Sequence, residues 1–313
     1  MQSMNLEEMF ERGEITVGRK YTAIDPAVKV FECTCGKPDC PIAALRPFRD
    51  HIKALRGVII TCGQAGIIPY VESVQDPWSA ITYPLVMAAS IDDVFVDPYF
   101  VDDSDAGLWC DAAWEAEEAD REDASKYVAA LTIFNFVWLA YEAAVAQVAG
   151  DRFAKDKVPV RARKILQDAE SPAPLRKACR MFYLGGRRLC TGTGRLEERI
   201  EEIESRFGLR DEAAAAELGR LFRNHVVHGD DPIPAHGLLS SSAIPRFYAI
   251  ARMLLVLIQQ LVRMHLLDPR AQINLSPMLD EESEPADWAL AHLHLKEDHW
   301  VRRADDGCER PED

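Results

Sequence analysis

Arg223, Asn224 and His228 are the residues of this chain whose types and spacing best fit a chemical role. They bring a guanidinium, an amide and an imidazole together within six residues, and Gly229 follows directly. A guanidinium binds phosphate oxygens through paired hydrogen bonds, and an imidazole gives or takes a proton near neutral pH. This RxxxxH motif, with a polar residue after the arginine, predicts a site that handles a phosphodiester.

The motif needs a helix end to position it, and the sequence predicts one. Asp211 is a candidate N-cap for a helix over Glu212–His228, and Gly229 suits the left-handed conformation that often follows a helix. By composition alone, the same residues also fit an ordinary helix end, with a solvated arginine and a histidine that caps the last carbonyls.

Helix geometry constrains how the motif can work. At about 100° per residue, Asn224 and His228 share a face, whereas Arg223 and His228 point about 140° apart. Two arrangements would bring Arg223 and His228 together. Either the final turn loosens and the arginine bends round, or two copies of the motif face each other across a dimer.

The sequence around the motif has the periodicity of an all-α helical bundle over residues 125–268. Apolar residues recur at spacings of three and four through Ser125–Ala149, which ends at Gly150. Further helices are predicted at Pro174–Leu184, closed by Gly185-Gly186, and at Arg195–Phe207 and Pro245–Leu267.

The motif, its trailing glycine, the bundle and an upstream aromatic helix, Phe136–Glu142, together resemble the HEPN superfamily of prokaryotic defence and toxin systems. The resemblance covers about residues 125–268. Many members of that superfamily are metal-independent ribonucleases, and HEPN domains commonly pair with their motifs at a shared cleft. The resemblance therefore implies a homodimer through the helical domain, with the apolar faces of Ser125–Ala149 or Pro245–Leu267 as candidate interfaces.

The same resemblance implies a reaction that uses no cofactor. A ribose 2′-hydroxyl attacks the adjacent phosphate and leaves a 2′,3′-cyclic phosphate and a 5′-hydroxyl. Arg223 would stabilise charge on the nonbridging oxygens, His228 would move the proton, and Asn224 would orient it or hold phosphate. The expected partners are RNA, a second copy of the chain, and an antitoxin or sensor protein.

The sequence is compatible with two other functions. One is a noncatalytic module of the same fold that binds a nucleotide, an RNA or a partner protein. The other is a zinc-stabilised scaffold whose helices serve assembly alone.

The charge of the chain bears on an RNA partner. The net charge of −15 disfavours a nucleic acid. However, residues 125–268 carry 21 Lys and Arg against 16 Asp and Glu, and residues 151–190 carry 11 against 4. The second stretch predicts either a shallow basic patch or an ordinary solvated helical face.

Residues 1–110 predict an α+β domain of unknown role. A mixed pattern predicts helices at Leu6–Arg12 and Pro41–Leu55, and strands at Glu14–Tyr21, Val28–Cys33, Gly57–Thr61, Ile67–Val74 and Ile91–Val96. An acidic boundary follows at residues 111–124, within a segment that also suits the acidic start of a helix. Residues 269–313 predict an acidic, partly disordered tail in which a short helix around Ala286–Leu295 docks.

Cys33, Cys35 and Cys40 place three thiols within eight residues, in a turn-rich loop after a predicted strand. Such a loop can fold thiolates around a structural zinc ion, although the spacing lacks the commoner CxxC pair. Unliganded reduced thiols and redox chemistry are the alternatives. The candidates for a fourth ligand are His51, Cys62 and Cys110.

The chain shows no signal-like N-terminus and no run of 18 or more apolar residues. With eight cysteines, these features favour a cytoplasmic protein with reduced thiols and no membrane partner.

Overall fold

The structure, a computed structural model, describes residues 5–17, 31–37, 40–69, 78–92, 94–97, 109–192, 194–205, 208–209, 211–230, 243–274 and 283–297. Within these ranges the chain is mostly helical. The helices are α1 (Leu6–Glu11), α2 (Phe48–Gln64), α3 (Ser79–Ser90), α4 (Asp111–Ala149), α5 (Val158–Gln167), α6 (Ala173–Leu189), α7 (Arg195–Ser205), α8 (Asp211–Val227), α9 (Ala243–Met264) and α10 (Ala286–His292).

The strands of the described residues form two short antiparallel pairs. β1 (Ile15–Val17) pairs with β2 (Phe31–Cys33), with Thr16 opposite Glu32. β3 (Gln272–Asn274) pairs with β4 (Ser283–Pro285). β1 and β2 lie within the first two predicted strands. Glu14 precedes β1 instead of belonging to it, and the predicted positions 18–21 and 28–30 are outside the described residues.

Helix α9 is the centre of the bundle. Every residue from Ala243 to Val262 is buried, and the helix packs against α2, α4, α6, α8 and α10. An aromatic cluster beneath the motif joins three of these helices, since the Phe134, Phe222 and Phe247 rings make edge-to-face contacts at 5.2 to 5.9 Å. Such contacts fix how each helix is rotated about its axis.

The long helix α4 runs without a break through 39 residues, so the predicted acidic boundary at residues 111–124 lies inside it. It ends where predicted, at Gly150 with φ +50°. Helix α3 packs along α4, and the buried side chains of the N-terminal segment belong to the same hydrophobic core as those of the bundle.

Residues Gly57–Thr61 do not form the predicted strand, because they continue helix α2. The β-branched residues favour a strand locally. However, Ile52, Leu55, Ile59 and Cys62 recur at helical spacing and are all buried. Burial of one helix face outweighs the local preference.

Two other predicted strands are wrong in their described parts. Ile67–Pro69 and the described positions of 91–96 are irregular, while residues 70–74 lie outside the description. The helix predicted from Pro41 begins at Phe48 instead. Leu45, before it, forms a bridge with Leu295 near the C-terminal helix.

The glycine pair Gly185-Gly186 does not end helix α6, which continues to Leu189. A β-carbon at Gly185 would overlap the ring of Phe31, and one at Gly186 would lie 2.9 Å from Ile250 Cδ1. The two glycines therefore allow close packing against the helix, and the predicted helix end at this position is wrong.

The predicted helix near the C-terminus is present as α10. Its Ala289 and Leu290 are fully buried, and Arg263 of α9 pairs with its Asp287 at 2.8 Å. This part of the predicted tail is packed against the bundle, while residues 298–313 are outside the described residues.

By length and hydropathy alone, α4 and α9 match membrane-spanning helices. However, 56% of the most apolar window of α4 and 89% of that of α9 are buried inside the bundle. The core helix of a compact protein has the same properties.

Candidate active site at the end of helix α8

Buried side chains fix the orientation of helix α8 about its own axis, and with it the direction of the motif side chains. Leu218, Leu221 and Phe222 are buried against the bundle, and His225 is buried on the same side. The opposite side is therefore turned outward. Arg223 and Asn224 lie there, both half-buried.

The last turn of α8 has the predicted glycine cap. Gly229 has φ +73°, its N–H donates to the Val226 carbonyl at 3.2 Å, and the Asp230 N–H donates to the His225 carbonyl at 3.0 Å. This pair of bonds is a Schellman cap. The His228 N–H still donates to the Asn224 carbonyl at 3.0 Å, so the helix does not loosen before the histidine.

At the other end of α8, the predicted N-cap is displaced by one residue. Asp211 is the first residue of the helix, and its φ of +50° is unusual for a residue other than glycine.

The structure brings two of the three motif side chains together. Arg223 Nη1 donates to Asn224 Oδ1 at 3.4 Å. His228 is exposed just beyond the last helical residue. In the described part of the chain, no hydrogen bond joins its ring to Arg223 or Asn224. Five residues apart on one helix, Arg223 and His228 are expected to point about 140° away from each other.

A buried carboxylate next to the motif was not anticipated from the sequence. Glu217 is 3% exposed and accepts two bonds from Arg220, from Nε at 3.0 Å and from Nη2 at 2.6 Å. Arg163 of α5 lies 3.7 Å from the same carboxylate. The spacing of Glu217 and Arg220 could have revealed the first pair. The contact with α5 depends on tertiary packing.

Arg220 lies one turn before Arg223 on the surface of α8. Three residues apart on a helix place two side chains about 60° apart and within about 6 Å at their β-carbons. Glu217 holds the Arg220 guanidinium in one orientation, because both ends of the pair are engaged. The outward side of α8 thus carries an ordered guanidinium beside the motif.

A cavity in the described residues lies elsewhere. It has a volume of about 520 Å³ and lies at the start of α8, about 15–18 Å along the helix from Arg223. Glu212 lines it, and burial raises the pKa of that carboxyl. Because none of the motif residues lines this cavity, it is not the site that the motif predicts.

Cys33, Cys35 and Cys40 are brought together as predicted. Their sulfur atoms all lie within 4.8 Å of one another. The three proposed fourth ligands are placed elsewhere. His51 is hydrogen-bonded to Gln259 at 2.9 Å in the core, and Cys62 is fully buried in α2. Cys110 is exposed at the start of α4.

The three thiols differ in their environments. Burial raises the pKa of Cys33 to about 12. The pKa of Cys35 is lowered, mainly because the backbone N–H of Lys37 donates to its sulfur. Cys40 is buried.

Comparison with known proteins gives no further guide: no protein-family model, no curated protein and no solved structure matches this chain.

Proposed function

We propose that this chain is a metal-independent endoribonuclease of HEPN type, acting as a toxin or anti-phage defence effector in the cytoplasm. The observation that supports it most is the placement of the motif. Arg223 and Asn224 are in contact and partly exposed, and His228 is exposed at the capped end of the same helix. The residues proposed to bind and cleave a phosphodiester are thus accessible from solvent.

The proposed reaction uses the ribose of the substrate as the nucleophile. The 2′-oxygen forms a bond to the adjacent phosphorus as the bond from phosphorus to the 5′-oxygen breaks. The 2′-hydroxyl loses its proton and the leaving oxygen gains one, and His228 serves one of these transfers. Arg223 binds the nonbridging oxygens as their charge grows, and Asn224 holds phosphate or orients the imidazole.

Ordered positive charge beside the motif supports RNA as the substrate. Arg220 and Arg163 share one buried carboxylate, Glu217, so this group of three side chains carries a net positive charge. Together with Arg223 it can attract a polyanion locally, although the chain as a whole is acidic.

We place the complete site between two chains. Because the His228 N–H still donates to the Asn224 carbonyl, we infer that the last turn does not loosen enough for one chain to bring His228 to Arg223. A twofold pairing of the motifs would supply the arginine from one chain and the histidine from the other. The two candidate interfaces, Ser125–Ala149 and Pro245–Leu267, lie in α4 and α9. Helix α9 is buried within its own chain, whereas α4 exposes Leu139, so α4 is the better candidate. Val227, beside His228, is also exposed.

The second candidate function is a noncatalytic module that binds RNA, a nucleotide or a partner protein. The helix geometry, which points Arg223 and His228 in different directions, favours this module if the protein is monomeric. Cleavage by the ribonuclease requires the 2′-hydroxyl of the RNA as nucleophile, whereas binding by the noncatalytic module does not. A scaffold without a ligand would show neither binding nor cleavage of RNA.

Incubation of purified protein with end-labelled RNA in excess chelator tests the proposal. We expect cleavage that survives the chelator, with 2′,3′-cyclic phosphate and 5′-hydroxyl ends. The same sequence as DNA should stay intact because it lacks the nucleophile. Binding of RNA without cleavage would support the noncatalytic module. Cleavage that the chelator abolishes would contradict the mechanism.

A further inference from the structure

The loop after β2 holds a set of side chains that the ribonuclease proposal does not use. We propose that Cys33, Cys35 and Cys40 bind one structural zinc ion, which holds the β1–β2 hairpin against helix α6. This inference is independent of the ribonuclease proposal, since no residue of the RxxxxH motif takes part.

The positions of the sulfur atoms fit one metal ion. A tetrahedral zinc site with zinc–sulfur distances of about 2.3 Å places its sulfur atoms about 3.8 Å apart. The three sulfur atoms here all lie within 4.8 Å of one another. Small rotations about the side-chain bonds would therefore suffice to bring them onto a common ion.

The donor set favours zinc over harder cations. Three thiolates are soft ligands, whereas Mg²⁺ and Ca²⁺ require oxygen donors. No fourth cysteine, histidine or carboxylate joins the three within the described ranges. The backbone N–H of Cys35 donates to the Cys33 sulfur at 3.4 Å. A bond of this kind offsets negative charge on a thiolate and orients it toward a metal.

The site lies where a metal would stabilise a weak element. β1 and β2 are three residues each, and so short a pair is marginal by itself. Cys33 ends β2, and the Thr34 N–H donates to the Glu14 carbonyl at 3.0 Å. An ion bound to Cys33 and to Cys40, seven residues later, would close the loop that follows the hairpin.

The hairpin in turn contacts the bundle, and one of these contacts is made by the ring of Phe31. Phe31 of β2 packs into the space left by Gly185 of α6, and its ring meets that of Phe182 edge-to-face at 5.2 Å. Because Phe31 is two residues from Cys33, restraint of the loop also restrains this contact. Removal of the ion should therefore lower the stability with which β2 packs on α6.

Elemental analysis of the full chain, purified without added metal, tests the inference. We expect about one zinc per chain. Cys35→Ser should reduce the zinc content to near zero, and Cys110→Ser, which removes an exposed cysteine outside the cluster, should leave it unchanged. Zinc that persists in Cys35→Ser, or that is lost in Cys110→Ser, would overturn the assignment.

A titration covers the case in which Cys35→Ser does not fold. Wild-type protein stripped of metal is titrated with Co²⁺, followed by its thiolate charge-transfer absorption. One equivalent should bind, and zinc should displace it. A folded wild-type protein that binds neither ion would overturn the proposal. The ribonuclease test does not enter this result, since cleavage and metal content are measured separately.

Discussion

Glu217 holds Arg220 through both carboxylate oxygens, with the Arg220 Nε 3.0 Å from one and Nη2 2.6 Å from the other. The carboxylate is buried, whereas the arginine reaches the surface of α8 one turn before Arg223. This pair links the core of the bundle to the ordered charge beside the motif. Its contribution to stability and its proposed contribution to RNA binding can be measured separately.

The stability role should appear in a double-mutant cycle. Arg220→Ala leaves Glu217 buried with Arg163 at 3.7 Å, so the free energy of unfolding should fall by about 2–3 kcal/mol. In the Glu217→Ala background the same substitution should cost much less, because the buried charge is gone. Urea denaturation of the four proteins gives the coupling. Equal costs in both backgrounds would contradict the coupling of the pair.

The RNA-binding role should appear in the salt dependence of affinity. With His228→Ala present in every protein to prevent cleavage, Arg220→Ala should weaken binding and reduce the slope of log K against log salt by about 1. Arg56→Ala, at an exposed position of α2, serves as the control and should leave the slope unchanged. An unchanged slope in Arg220→Ala would show that Arg220 does not contact phosphate.

The packing of Phe31 against α6 predicts that Gly185→Ala lowers the free energy of unfolding. Alanine is normally favoured over glycine inside a helix by about 1 kcal/mol. Gly57→Ala, in open space on α2, should therefore raise the free energy of unfolding. Gly185→Ala should lower it by about 1–3 kcal/mol, because the added methyl overlaps the Phe31 ring. Thermal and urea denaturation compare the two, and a stabilising Gly185→Ala would rule out the close packing.

Two buried histidines predict a loss of stability in mild acid. Burial lowers the pKa of His294 to about 3, with His292, Arg252 and Arg46 adding to the effect, and burial also lowers the pKa of His51. The unfolded chain takes up these protons near pH 6.5, but the folded chain does not. The stability contribution is therefore complete above pH 6.5 and falls as pH decreases toward 3.

The size of this effect can be isolated with one substitution. For His294 alone, the loss between pH 7 and pH 5 is about 2 kcal/mol. His294→Gln keeps an acceptor for Gln259, which lies 3.3 Å from the ring nitrogen. Urea denaturation at the two pH values should show a smaller loss in the variant than in the wild type. Identical losses would mean that His294 titrates normally in the folded protein.

Local signals predicted the elements that depend on nearby residues. The helix that carries the motif and the cap at Gly229 follow from periodicity and from one glycine with positive φ. The closeness of the three cysteines follows from their short spacing in the chain. In each case the interacting groups lie within about ten residues of one another.

The features that sequence reasoning missed depend on distant contacts. Gly57–Thr61 is helical because one face of α2 is buried by other elements, and Gly185 stays inside a helix because Phe31 packs on it. Arg163 reaches Glu217 from another helix. None of these partners can be identified from the local pattern, because each is chosen by the tertiary arrangement.

Single substitutions in the motif should abolish cleavage without unfolding the protein. Arg223→Ala and His228→Ala remove side chains that are half-buried and exposed, respectively, so both variants should keep the wild-type melting temperature within a few degrees. Each should lower the rate of RNA cleavage by about 10²–10³ or more. Arg56→Ala is again the matched control. Wild-type cleavage by either motif variant would contradict the assignment of its residue.

A mixing experiment tests the central claim, a ribonuclease site shared between two chains, most directly. Arg223→Ala and His228→Ala protein are each inactive alone, and are combined in equal amounts under conditions that allow subunit exchange. Half of the dimers then contain one of each chain, and each such dimer has one intact arginine–histidine pair. The account predicts recovery of about a quarter of the wild-type cleavage rate. If the wild type is active and subunit exchange is demonstrated, but the mixture recovers no cleavage, the shared site is contradicted. A wild type that does not cleave RNA would contradict the proposed ribonuclease activity itself.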